Sequence, residues 1–186
     1  MLEIILISFG LVVVSEMGDK TQLLAFALAT RFKKPWPIMG GILVATLLNH
    51  ALAAFGGSWV SSHVPPDVLR WTLAGLFIGF GIWILVPDTD DEQKTHNRFG
   101  AFLTTLVTFF LAEMGDKTQL ATVALGARFN SVVLVTLGTT LGMLVADGLA
   151  VFVGDRLGEK VPMTWVRRSA SALFIVFGLF ILLQKH

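Results

Sequence analysis

An octapeptide, E-M-G-D-K-T-Q-L, occurs twice in the chain, at residues 16–23 and 113–120. Both copies are embedded in apolar runs. Each brings a glutamate and an aspartate three residues apart, with a lysine directly after the aspartate. Ionisable groups at the centre of a membrane helix cost roughly 2.5–3.5 kcal/mol each on insertion scales, so four unpaired carboxylates would cost about 10–14 kcal/mol. With 54% hydrophobic residues and a mean hydropathy of +0.75, the chain is too apolar for an ordinary soluble domain. The expectation is a polytopic membrane protein that keeps the doubled acidic segment because it uses it.

The 186 residues suit six spans joined by short loops. Apolar runs cover about residues 2–30, 36–60, 67–86, 98–127, 130–154 and 163–183. At about 1.5 Å per residue the first is longer than the hydrocarbon core needs, so it has to tilt or break near Gly18. All six prolines fall in or beside the expected loops, and the five tryptophans fall near span ends. Residues 87–97 are the one clearly polar stretch and read as an acidic linker between a first repeat, 1–86, and a second, 98–186. Residues 15–32 and 112–129 match at 12 of 18 positions, and Leu76-Phe77-Ile78 aligns with Leu173-Phe174-Ile175. Asn49-x6-Gly56 aligns with Asp147-x6-Gly154, which pairs His50 with Gly148. A duplicated unit of three spans must enter the membrane from the opposite face the second time. The expected fold is therefore all-α, six transmembrane helices arranged as two inverted three-helix repeats with a site at the midplane.

Loop charge orients this arrangement. Arg31, Lys33, Lys34, Lys94, Arg98, Arg156, Lys160, Arg167 and Arg168 collect on one side, against Arg70, Arg128 and Lys185 on the other. Nine against three places the basic side and the linker in the cytoplasm and both termini in the periplasm. The net charge of +1 suggests no nucleic-acid partner, and the absence of cysteine excludes disulfides and thiolate metal sites. The N-terminus carries Glu3 and no basic n-region, so it reads as the start of a retained span.

Residues three apart on a helix face the same way, so Glu16 projects with Asp19, and Glu113 with Asp116. If the two copies meet at the midplane, four carboxylates converge as metal ligands. Asn49 and Asp147, at central positions of the second and fifth spans, are secondary oxygen donors, as are Gln22 and Gln119. Thr21 and Thr118 are further oxygen donors, and Gly18 and Gly115 would let the helix open and free carbonyls. An all-oxygen, carboxylate-rich site suits calcium, magnesium or manganese. Met17 and Met114 either favour manganese through a softer thioether or simply fill packing gaps. Glu16 with Lys20, and Glu113 with Lys117, are spaced i,i+4 and could be self-neutralised structural pairs. Asp19, Asp116 and Asp147 would still carry unbalanced charge, which a divalent cation, or protons in its absence, would compensate. Metal and proton competing for the same oxygens gives metal/proton antiport as the expected mechanism. Gly75-xxx-Gly79 and Gly138-xxx-Gly142 read as helix-packing surfaces.

The octapeptide resembles the E-x-G-D-[KR]-[ST] signature of a cation transporter family that includes human transmembrane protein 165 and bacterial manganese exporters. The resemblance covers nearly the whole chain: six spans, two signatures and an acidic central loop. It implies manganese or calcium transport in exchange for protons, with no cofactor and no enzymatic activity. Glu16, Asp19, Glu113 and Asp116 carry over as metal ligands, and Lys20, Thr21, Lys117 and Thr118 complete the signatures. The short chain looks like the bacterial branch, which implies manganese export across the inner membrane. A calcium/proton antiporter of the same architecture is the nearest alternative. An intramembrane aspartyl protease also pairs two membrane aspartates, but it needs two unlike motifs and a shared proton, which a lysine beside each aspartate opposes. A passive channel would show flux without saturation or proton coupling. Oligomeric state is not legible.

Overall fold

The computed structural model describes residues 1–85, 100–157 and 163–183. The acidic linker and the basic residues Lys94, Arg98, Lys160 and Lys185 of the charge count lie outside the described residues. Eight helices account for nearly all of the described residues: α1 Leu2–Glu16, α2 Lys20–Phe32, α3 Pro35–Ser61, α4 Pro66–Ile84, α5 Ala101–Glu113, α6 Lys117–Phe129, α7 Val132–Leu157 and α8 Met163–Leu183. The protein is all-α. Two stretches, Pro35–Ser61 and Val132–Phe152, are by themselves long and apolar enough to cross a membrane.

The first and fourth expected spans are broken inside the octapeptide. The break is a turn written by the sequence. Met17 has φ −63° and ψ 113°, Gly18 has φ +82°, and the Asp19 amide donates to the Glu16 carbonyl at 3.1 Å. That is a type II turn, whose third position needs positive φ and therefore glycine. Met114 (φ −65°, ψ 117°) and Gly115 (φ +79°) repeat it, closed by Asp116 N–H to Glu113 C=O at 3.2 Å. Asp19 then caps α2, accepting from the Lys20 amide at 2.8 Å. Gln22 and Gln119 reach back to accept from the Gly18 and Gly115 amides at 2.8 and 2.7 Å. Glycine, aspartate and glutamine of the motif thus each have a local geometric reason. The expectation that Glu16 and Asp19 share the face of one continuous helix needs correction, because the turn, not helical spacing, sets their relation.

A Cβ on Gly115 would meet nothing within 4 Å, so substitution there strains only the backbone. Gly115→Ala is expected to lower stability by about 1–2 kcal/mol through the left-handed conformation alone, and Gly115→Asn by less. Thermal unfolding in detergent checks this; equal stability of all three proteins would refute the turn assignment.

Helices pack through glycines, and the contacts occur in matched sets. On α3, Gly41 lies against the Phe102 carbonyl and Thr105 of α5; on α7, Gly138 lies against the Ile5 carbonyl and Ser8 of α1. Each number in the second half is its counterpart plus 97. Gly81 of α4 meets Ser171 and Ile175 of α8, while Gly178 of α8 meets Ala74 and Ile78 of α4, again offset by 97. The numbering also gives direction. Contact positions on α7 and α1 rise together, so these helices run parallel, whereas those on α4 and α8 run in opposite senses. Of the two expected packing motifs, Gly138 and Gly142 do face α1, but Gly75 and Gly79 have open space. Gly81 and Gly178 make the α4–α8 contact instead. Two apolar cores flank the centre. One centres on Phe77 and Phe174, with α1, α4, α6 and α8 joined by Ala54 of α3 and Val135 of α7; the other joins α2, α3 and α5 around Leu28, Ile42 and Phe109, with Ala150 of α7.

The uniform offset also corrects the internal alignment of α3 with α7. Asp147 minus 97 is 50, so its counterpart is His50, and Asn49 pairs with Ala146. The sequence match on Asn49-x6-Gly56 was shifted by one; Gly57, which packs against Val123 and Ala127 of α6, is the residue equivalent to Gly154.

Candidate metal centre

The two turns bring acidic side chains from both halves to one place. Glu16, Asp19 and Asp116 are all buried, and one carboxylate oxygen from each lies within 4.8 Å of the others. Glu113 and Asp147 are wholly buried nearby. Asp147 is near enough to interact electrostatically with Glu16, Glu113 and Asp19. All five acidic candidates therefore belong to one electrostatic neighbourhood, although Glu113 does not join the tight group of three.

The polar residues of the motif attend to this cluster. Thr21 Oγ1 donates to Glu16 Oε2 at 2.6 Å, and Thr118 Oγ1 donates to Glu113 Oε2 at 3.0 Å. Each glutamate is held by its own threonine, five residues on across the turn. The lysines behave differently from the i,i+4 pairs considered above. Lys20 reaches across to the other half, with Nζ 2.8 Å from Asp116 Oδ1. Lys117 holds its ammonium 5.8 Å from the centre of the Trp83 ring. The Lys20 ammonium of one half thus sits directly on a carboxylate of the other.

Other candidates are occupied by structural work. Gln22 donates its amide to the Ala146 carbonyl of α7 at 2.9 Å while its oxygen holds Gly18. Asn49 Nδ2 donates to the Phe110 carbonyl at 3.0 Å, in the last turn of α5, where carbonyls lack intrahelical donors. Met17 is half-buried, whereas Met114 is 57% exposed at the second position of its turn and does not fill a core gap. Among the described residues, four buried carboxylate oxygens have no hydrogen-bond partner: Glu16 Oε1, Glu113 Oε1 and both oxygens of Asp147. Burying a carboxylate oxygen without partner costs several kcal/mol, in the range of about 2–7 for a polar group. The cost disappears when a cation or a proton sits on that oxygen. Hard, buried carboxylate oxygens of this kind suit a divalent cation.

A family model described as "Divalent cation/proton antiporter GDT1" matches residues 4–92 and 101–186, nearly the whole chain. The chain belongs to the GDT1 family. A Vibrio cholerae serotype O1 protein carrying the provisional name of manganese exporter is 42% identical over 179 residues, covering 96% of this chain and 90% of its own. A GDT1-like protein of Arabidopsis thaliana is 31% identical, with 92% of each chain covered. One from Synechocystis is 26% identical over 90% of this chain and 91% of its own. No solved structure matches the chain significantly. Membership of the GDT1 family makes the protein a membrane transporter of divalent cations and sets aside the protease reading. His50 is buried with no partner for its ring nitrogens; its pairing with Gly148 in the sequence made it read as a packed or loop-facing residue, and the buried, unpartnered hydroxyl of Thr46 carried no sequence signal.

Proposed function

We propose that the protein exports manganese(II) from the cytoplasm of a bacterium in exchange for protons, by alternating access around the Glu16–Asp19–Asp116 cluster. The observation that carries this reading is the meeting of carboxylates from both octapeptides within 4.8 Å. On this reading the chain crosses the plasma membrane six times, as inverted units 1–86 and 98–186, with both termini periplasmic. The parallel run of α1 and α7 and the opposed run of α4 and α8 support the inversion. Glu113 and Asp147 complete the anionic pocket, and Thr21 and Thr118 orient the two glutamates. When the ion leaves, protons and the Lys20 ammonium compensate the charge left behind. Calcium is the second reading, favoured by the oxygen-only character of the three closest ligands.

The test is flux in proteoliposomes with manganese and calcium compared across an imposed pH gradient. Saturable manganese movement that acidifies the opposite compartment supports the reading. Calcium movement without manganese movement would replace it with the second, and movement of neither would refute both.

Lys20 competes with the metal for Asp116. Lys20→Gln is expected to tighten manganese binding by up to about 5-fold, the scale of a surface-type pair given that Lys20 is 33% exposed. Loss of the built-in ammonium should also slow turnover, because ion release leaves Asp116 uncompensated. Equilibrium manganese titration followed by EPR, together with flux, measures both; weaker binding in the variant would show that Lys20 does not compete.

A further inference from the structure

We propose that His50 contributes a neutral nitrogen donor to the cation pocket, at the place on α3 that Asp147 takes on α7, and that this donor biases the pocket toward manganese over calcium. The inference rests on the divalent-cation reading above and deepens it by naming a selectivity residue.

Position comes first. The constant offset of 97 makes His50 and Asp147 equivalent, and Asp147 interacts with Glu16, Glu113 and Asp19. Independently of the offset, Gly41 of α3 lies against Phe102–Leu106 of α5 and Gly57 against Val123–Ala127 of α6. His50 falls between those two glycines, and the turn at 113–117 falls between those two contact segments. Residue 50 therefore lies along α3 at the height of that turn, outside the group of three whose oxygens fall within 4.8 Å of one another. Asn49, the preceding residue, already touches Phe110 one turn from the end of α5.

Burial and bonding come next. His50 is 0% exposed and neither ring nitrogen has a hydrogen-bond partner. A buried imidazole usually finds at least one partner, so two open nitrogens on a fully enclosed ring mark a group made for something else. The hydroxyl of Thr46 is also buried and unpartnered, and it sits four residues earlier on the same helical face. A metal-bound imidazole normally hands its second N–H to an oxygen acceptor, which fixes tautomer and ring plane. Thr46, one turn before His50, is the side chain we assign to that acceptor, and the two share no hydrogen bond in this structure.

Chemistry gives the consequence. Calcium takes oxygen ligands almost exclusively, whereas nitrogen affinity rises along the first transition row from manganese onward. One imidazole among carboxylates leaves manganese fully liganded and calcium one good ligand short. The two octapeptides are identical, but the halves differ at this position, with nitrogen on one side and a carboxylate on the other.

The experiment uses the full chain, carrying no polyhistidine tag, loaded with manganese and read by electron spin-echo envelope modulation. Wild type is expected to show nitrogen modulation that changes when histidine is labelled with nitrogen-15, and His50→Gln is expected to lose it. In flux competition, His50→Gln should shrink the preference for manganese over calcium by on the order of 10- to 100-fold, and His50→Asp should move it further toward calcium. Labelled wild type alone gives the spectroscopic answer should a variant fail to fold. Manganese transport with no histidine modulation, or with modulation that survives in His50→Gln, would overturn the role of His50 and leave the carboxylate site standing. A wild type that neither binds nor moves manganese would overturn both.

Discussion

Glu16→Gln is expected to cut manganese flux by about 100-fold or more while leaving the protein folded. The substitution keeps the shape of the side chain, and Thr21 Oγ1 can still donate to the amide oxygen as it does to Glu16 Oε2 at 2.6 Å. What disappears is one full charge at contact distance from a divalent ion. Even at an effective dielectric of about 20, that is worth several kcal/mol, against about 1.4 kcal/mol for each tenfold in affinity. The same residue has one oxygen buried without a partner, so removing its charge relieves a cost in the metal-free protein. The variant should therefore unfold at a temperature no lower than the wild type while transporting nothing measurable. Proteoliposome flux and thermal unfolding, measured side by side, check the two halves of the statement. Wild-type transport with Glu16→Gln would place the ion elsewhere.

Gly57→Leu is expected to destroy the fold instead of the activity, with a loss of about 3 kcal/mol or more. A Cβ at Gly57 would run into the Val123 carbonyl and the Ala127 amide of α6, and both are backbone atoms that cannot rotate away. Gly126 faces the Ala54 carbonyl in the same interface from the other side. Here α3 and α6 touch main chain to main chain, so any side chain forces the helices apart and unseats the Glu113–Asp116 turn at the head of α6. Gly75→Leu supplies the control. Nothing lies within 4 Å of a Cβ there, and the change should cost under about 0.5 kcal/mol. Denaturant unfolding of both variants in detergent distinguishes them; similar stabilities would mean that the close approach is not what holds α3 against α6.

Much of this was legible in the residues. The doubled motif announced the duplication, and the excess length of the first apolar run announced the break at Gly18. Helix limits followed prolines and polar breaks closely, as in α3, expected from 36 and observed from Pro35. What could not be read was how the motif works inside itself. Three-residue spacing suggests a helical face, but the positive φ of glycine converts E-M-G-D into a turn, a choice made by one residue's freedom. The partner of Lys20 was also out of reach. An i,i+4 spacing offers Glu16, whereas the fold offers Asp116 from 96 positions away, and long-range packing decides between them. His50 was lost to a one-residue slip in α3, where asparagine and aspartate look alike to the eye. The offset of 97 between the octapeptides, which the packed glycines repeat in backbone contacts, restores it.

The reciprocity of Gly81 with Ile175 and Gly178 with Ile78 has an evolutionary reading. When position i of one half touches position j of the other, and j touches i in return, the interface is isologous, the kind that two identical molecules form about a dyad. A half-length ancestor would thus already have carried a surface complementary to itself, and would have assembled as a homodimer before its gene was doubled. Fusion then freed the two subunits to diverge, and an imidazole at position 50 where the other half has a carboxylate at 147 is a difference that no strictly symmetric pair could have kept.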